Sequence, residues 1–366
     1  MNRVIQFPKG PPRGGLTRVE LLVIVLVVGG LVALMLPVIN QTRGPSRRTS
    51  CQNTLQQLTI GMLNYVDTHK SFPNVGFDAV IDPQNSGSTL PPLTKQVAAS
   101  TEMATRARYS WLVKVLPYIE EADIASQLVA SSKKFSIPAF DPANVIPDTQ
   151  QPIATFNIST LRCPSDDMLP YASAPEYEQF IAKVAGSQNM GIIGIAPSNY
   201  VAMSATELDL IAEYAERANG VIIPVGTVTV ADITRGTGQT IMLAETKEPA
   251  YSSWYDAGSG WIVAVPPSVA KTEAEFLALV EKSKNIQLLN YGPDDEHPDR
   301  VYLAKADWSN QAPRRWGASS EHVKDGVGVV MHAFANGKVE PLNDDIDPRV
   351  YRALIDRNAP PGDTPK

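Results

Sequence analysis

The sequence predicts an α+β protein: a long N-terminal membrane-spanning helix joined to a head built on an antiparallel β-sheet. Three observations predict it. Residues 21–39 are nineteen uncharged, mostly apolar residues in a row. Apolar groups then recur at Cys51, Leu55, Leu58, Met62 and Tyr65, steps of four and three that draw one stripe along a helix. After Gly220 the texture changes to β-branched runs bounded by turn residues, which is how strands read.

The first element is the apolar run. As a helix it is about 28 Å long, close to the roughly 30 Å hydrocarbon core of a bilayer. Arg3, Lys9 and Arg13 precede it, as in the basic start of an export signal, but no A-x-A cleavage site follows. The segment is therefore expected to stay as an anchor. Seven of the 32 basic residues lie in residues 1–48, against Glu20 as the one acid there, so the rest of the chain is strongly acidic. An acidic body argues against nucleic-acid binding, which needs a basic footprint.

Glu20 stands at the lip of the apolar run. By position alone it reads as an interfacial charge flanking a membrane helix. Its neighbours give a second reading. Arg13-Gly14-Gly15-Leu16-Thr17-Arg18-Val19-Glu20, followed by an apolar helix with Pro37, resembles the type IV prepilin leader. The resemblance implies cleavage after Gly15 by a prepilin peptidase, N-methylation of the new terminus Leu16, and use of Glu20 in assembly with other pilin-like subunits. Glu20 would pair with a neighbouring subunit's amine. Leu16 departs from the family's usual phenylalanine and Arg18 from its usual leucine.

Further stretches extend the resemblance. They are Cys51-Gln52-Asn53-Thr54-Leu55, Asn64-Tyr65 with Phe72-Pro73, and Ser110-Trp111 with Leu116-Pro117-Tyr118. Leu161-Arg162-Cys163-Pro164, Ser198-Asn199-Tyr200, Ala244-Glu245 and His322 with Asn336-Gly337 follow in order. Together they resemble the pilin-like DUF1559 proteins abundant in planctomycete bacteria. The resemblance implies a leader over 1–15, a pilin-like helix over 16–73 with its membrane segment at 21–39, and an exported α+β head over 74–366. It places the chain as a single-pass inner-membrane protein in contact with membrane lipid. The N-terminus would be cytoplasmic and the head periplasmic or at the cell surface, as for type II secretion-like pseudopilins.

The remaining elements follow in order. Gly44-Pro45 is expected to break or kink the first helix, since proline disfavours helix in the residue before it. Residues 74–105, rich in Pro, Ser, Gly and Asn, read as a long loop. Residues 106–130 read as a helix split near Pro117. The proline-rich stretch 136–153 reads as a crossing segment, 160–163 as a short strand, and 175–185 and 205–218 as helices. Residues 221–223, 228–230 and 240–244 read as strands. The strongest hairpin signal is 327–335, then Asn336-Gly337, then 338–340, with Asn-Gly favouring a type I′ turn. Asp347-Pro348 is an N-cap with proline at the first helical position, opening a short C-terminal helix with Val350, Tyr351, Leu354 and Ile355 on its apolar face.

The chemistry is sparse. Cys51 and Cys163 both follow the anchor, and in an exported head they are expected to form a disulfide; two buried free thiols are the alternative. His69, His297, His322 and His332 show no metal-binding spacing, so no metal and no cofactor are expected. Ser319-Ser320-Glu321-His322 with Asp325 lacks a nucleophile elbow and reads as a polar turn, so no enzyme activity is expected. Asp166-Asp167 falls short of a calcium cage, and Arg235-Gly236-Thr237-Gly238 lacks the context of a phosphate loop. Trp254, Tyr255 and Trp261 are core or the wall of a ligand groove. The leading expectation is a pilin-like structural subunit; the alternative is a membrane-anchored solute- or glycan-binding surface protein.

Overall fold

The computed structural model describes residues 17–75, 109–164 (except 138, 142 and 147–150), 171–172, 194–207, 210, 217–247 (except 225), 252–265 (except 258–259), 269–270, 272–282, 286–290 and 318–360 (except 321 and 325), with 30–45 described by backbone alone. The expected leader 1–15 lies outside these residues, as do Leu16, Asp166, Asp167, almost all of the expected loop 74–105, all of the expected helix 175–185 and more than half of the expected helix 205–218. The chain divides into two compact units, Met1–Ser46 and Arg47–Lys366.

In the first unit, helix α1 (Arg18–His69) opens on a reciprocal pair. Thr17 donates its backbone N–H and its hydroxyl to the Glu20 carboxylate, and the Glu20 N–H donates back to the Thr17 hydroxyl. This is the capping box that a Thr-x-x-Glu sequence favours at a helix start. Val19 and every residue over 21–28 are exposed, although all are large and apolar. Among the described residues no helix is long and apolar enough to cross a membrane; the side chains of 30–39 are not among them. The expected break at Gly44-Pro45 is not present, because the helical backbone runs on to His69. A proline removes one rung of the hydrogen-bond ladder, and the other rungs carry the helix past it.

The second unit holds the rest of α1. Cys51, Leu55, Leu58 and Met62 are fully buried and Tyr65 is partly so, which is the stripe its spacing predicts. Ser110 then caps α2 (Trp111–Val115) by accepting from the Leu112 N–H. A 3-10 turn over Leu116–Tyr118 contains Pro117 and separates α2 from α3 (Ala122–Ser131), the expected split. Gly61 of α1 faces this turn closely: a Cβ there would lie 2.3 Å from Ile119 Cγ2 and 2.9 Å from the Tyr118 carbonyl oxygen. The backbone oxygen cannot swing aside as a side chain can. Gly61→Ala is therefore expected to lose about 1–3 kcal/mol in a denaturant titration, despite alanine's better helix propensity.

The sheet runs β3 (Trp261–Val263), β1 (Tyr200–Ala205), β2 (Ile241–Glu245), β5 (Val327–Phe334), with β4 (Val323–Lys324) and β6 (Val339–Asn343) both paired to β5. All pairs are antiparallel except β1 with β3, which is parallel, so the sheet is mixed rather than wholly antiparallel. Alternate residues go to opposite cores. Tyr200, Ala202, Trp261, Val263, Met331 and Ala333 join the stripe of α1 on one face. Val201, Met203, Ile262, Val330 and Phe334 meet α4 (Glu273–Lys282) and α5 (Pro348–Ile355) on the other. Burial on both faces explains why these strands read as continuous apolar runs.

Three expected strands differ. Residues 159–161 form a 3-10 turn, because the Leu161 carbonyl and the Cys163 N–H are both satisfied by Asn199 and not by a ladder. Residues 221–223 are buried but lie in no strand, and Val230–Asp232 is a 3-10 turn closed by Thr229 and Asp232. The final hairpin forms in the expected place, with Ala333 opposite Val339. Its turn is not type I′, which needs positive φ at both central residues: only Gly337 has it (φ 98°). The C-terminal helix is as expected, with Asp347 Oδ1 accepting from the N–H groups of Arg349 and Val350.

Candidate functional site

Four segments far apart in sequence meet at the end of β2. Cys51 of α1 and Cys163 form a disulfide, with a Cα–Cα distance of 4.8 Å. Residues 198–200 hold both cysteines. The Asn199 side chain accepts from the Cys163 N–H (3.0 Å) and donates to the Thr246 carbonyl (3.0 Å). The Tyr200 hydroxyl donates to the Cys51 carbonyl (3.2 Å). One tripeptide therefore ties α1, the Cys163 segment and β2 together, which is a physical reason for a Ser-Asn-Tyr motif at the start of β1.

Beside the disulfide stand Glu245, the last residue of β2, and His322, which precedes β4. His322 Nε2 is 3.3 Å from Glu245 Oε1 and 3.8 Å from Cys163 Sγ. The Ser320 hydroxyl accepts from the His322 backbone N–H and so fixes the turn that aims the ring. Glu245 is 2% exposed and His322 6%. Glu245 Oε2 is buried without a hydrogen-bond partner, a costly state for a carboxylate oxygen. Ligand atoms of Cys51, Cys163, Glu245 and His322 all lie within 4.8 Å of one another. No local motif announces this set, since its members come from α1, the segment after a 3-10 turn, a strand end and a loop. The only signal in the sequence was that each member sits in one of the stretches that carry the resemblance.

The other candidates resolve differently. The same Nε2 of His322 faces both Glu245 and Cys163, so the ring cannot relay a proton from one to the other as a catalytic triad requires. Ser319 accepts from the Lys247 N–H, and Ser320 is engaged with the His322 backbone; Glu321 and Asp325 lie outside the described residues. Trp254, Tyr255 and Trp261 are core: they are buried, and they donate to the carbonyls of Phe156, Ala139 and Ala257. His332 is buried too, and desolvation pushes its pKa down to about 4. The neutral ring donates from Nδ1 to the Val330 carbonyl and accepts the Tyr351 hydroxyl at Nε2, a structural pairing. Arg235 to Gly238 form a loop in which Arg235 donates to the Gln239 carbonyl. Of the expected assembly residues, Gly15 and Leu16 lie outside the described residues. Glu20 is described, and its pKa is lowered by the Thr17 backbone N–H and then the Thr17 hydroxyl.

No curated protein and no solved structure matches the chain. The profile of the family described as "Protein of unknown function (DUF1559)" matches residues 40–349. That span begins before the disulfide's Cys51 and ends beyond the hairpin, taking in both cysteines, Asn199, Tyr200, Glu245 and His322. On a match of that extent, the chain belongs to the DUF1559 family.

Proposed function

We propose that this protein is a membrane-anchored, pilin-like structural subunit of the pseudopilin kind, cut by a prepilin peptidase after Gly15 and N-methylated at Leu16. Residues 21–39 form the anchor, the head is exported, and the partners are other pilin-like subunits. The observation that carries the reading is the order of features at the start of α1. A Gly-Leu pair precedes the helix in sequence, a carboxylate capped by Thr17 sits in its first turn, and an all-round apolar surface follows at once. A water-facing helix alternates polar and apolar faces; one that is apolar all round belongs in lipid or among other helices. Cleavage after Gly15 leaves a new amine on Leu16, four residues before Glu20 in sequence, and the neighbouring subunit's amine is the carboxylate's partner on assembly. Glycine before the cut lets the backbone enter a protease without steric cost.

In a host carrying the peptidase, N-terminal sequencing and intact mass of membrane-extracted protein are expected to show a methylated start at Leu16. Gly15→Val is expected to leave the leader in place. A Met1 start in both proteins overturns the proposal. The alternative, a solute- or glycan-binding display protein, rests on the aromatic cluster of Trp254, Tyr255 and Trp261 and on the acidic head; the three aromatic side chains are buried in the core, which leaves the acidic head as its support.

A further inference from the structure

We infer that the cluster of Cys51, Cys163, Glu245 and His322 is a redox-gated site for a thiophilic divalent cation of the zinc type. The disulfide is its closed state and the dithiol its metal-binding state.

The donor set is the argument. Two cysteine sulfurs, an imidazole nitrogen and a carboxylate oxygen are the ligand types of tetrahedral zinc sites. Their atoms already lie within 4.8 Å of one another and all four residues are buried. The approach of His322 Nε2 to Glu245 Oε1 at 3.3 Å and to Cys163 Sγ at 3.8 Å matches the spacing of neighbouring ligands around one tetrahedral ion, so little movement is needed to seat it. The imidazole nitrogen aimed at the acid is also aimed at the sulfur. That geometry is wrong for a proton relay and right for convergence on a shared centre.

An independent observation points the same way. Glu245 Oε2 is buried with no hydrogen-bond partner. A folded protein rarely leaves a carboxylate oxygen so, and a cation bound by Glu245 would supply the missing partner. The surrounding hydrogen bonds hold the backbone of both cysteines independently of the S–S bond: Asn199 holds the Cys163 N–H and Tyr200 holds the Cys51 carbonyl. Breaking the bond therefore frees two thiols without releasing the segments that carry them.

The chemistry balances as follows. A dithiol reductant delivers two electrons and two protons to the Cys51–Cys163 bond and becomes a disulfide itself. The cation then displaces the two thiol protons, because the thiolate is the ligand, and they leave to solvent. Oxidation of the dithiolate by a disulfide of the same class reverses both steps and expels the ion. The two states exclude each other, since the sulfurs of an intact disulfide are poor ligands.

The full chain tests this, with Co²⁺ as a coloured substitute for Zn²⁺. Protein reduced by a phosphine and freed of it under argon is titrated with Co²⁺. A single equivalent is expected to produce thiolate-to-cobalt charge-transfer bands together with the visible bands of a tetrahedral site. The oxidised chain is expected to produce neither. His322→Gln and Glu245→Gln are first compared with the parent in the oxidised state, where the disulfide maintains the fold, by circular dichroism. Once reduced, each is expected to bind Co²⁺ at least about tenfold more weakly, the scale on which even outer groups of a metal site act. If the reduced parent loses structure, the ion is expected to restore its circular dichroism. Three results overturn the inference: no single-equivalent thiolate bands in the reduced parent, equal binding by the oxidised chain, or affinities of both variants equal to the parent's. The last would mean that the thiols bind metal alone, wherever they are.

Discussion

Removing the Cys51–Cys163 bond is expected to lower the stability of the head by about 4–5 kcal/mol, a shift easily read as a fall in the denaturant midpoint of Cys51→Ala/Cys163→Ala against the parent. The bond joins residues 112 apart in sequence, so it closes a long loop. In the chain-entropy picture a cross-link stabilises by restricting the unfolded chain, and for a loop near a hundred residues that restriction amounts to about 4.7 kcal/mol. The location adds to the expectation. The bond joins α1 to the segment that Asn199 clamps against β2, so it is the covalent counterpart of contacts that otherwise depend on hydrogen bonds from Gln52, Gln56 and Tyr200. Both cysteines are buried. Reduction of the parent, with a chelator present so that no metal holds the thiols, is expected to give the same loss. A loss below about 1 kcal/mol in both experiments would show that the unfolded chain is already constrained or that α1 is held by packing alone.

Most of what reads correctly in this sequence is local. The stripe from Cys51 to Met62 is legible because helix burial imposes a period that survives any tertiary arrangement. The C-terminal helix is legible because Asp347-Pro348 satisfies the first turn by itself. The hairpin around Gly337 is legible in its pairing. Its turn type is not, because Asn-Gly also serves a turn in which only the glycine takes positive φ. The misread strands at 221–223 and 228–230 show that β-branched composition does not by itself make a strand: residues 221–223 and Val228 are buried without ladder partners, and Val230 is exposed in a 3-10 turn. The parallel pairing of β1 and β3 involves three residues of β3 and depends on a register set in space. The cluster at Glu245 and His322 was illegible for the same reason. A metal motif is visible in sequence when its ligands share one element, and here each comes from its own. Glu207 lay in a stretch read as helical, and its partner sits 145 residues away.

That partner gives the second large expectation: Arg352→Ala is expected to destabilise the head by about 3–5 kcal/mol. Glu207, just beyond the end of β1, is fully buried, and Arg352 of α5 reaches it with Nε and with Nη2, the latter at 3.1 Å. The same Nη2 is 3.0 Å from Glu273, which opens α4 and is 61% exposed. One guanidinium thus links the sheet to both helices on its second face. Truncating it leaves the Glu207 carboxylate inside the protein beside the Thr206 hydroxyl, and an orphaned buried charge is what makes broken interior pairs so costly. Removing the outer acid is a different matter, because water replaces it: Glu273→Ala is expected to cost less than about 1 kcal/mol. The pair itself stabilises far less than its rupture suggests, since both charges had to leave water to form it. Glu207→Leu combined with Arg352→Met is therefore expected to recover most of the loss of the single arginine variant. A double-mutant cycle by denaturant titration separates the cases. If Arg352→Ala costs no more than Glu273→Ala, Glu207 finds water or another donor when its partner goes, and the link between sheet and helices is made by packing around Phe276 and Tyr351 instead.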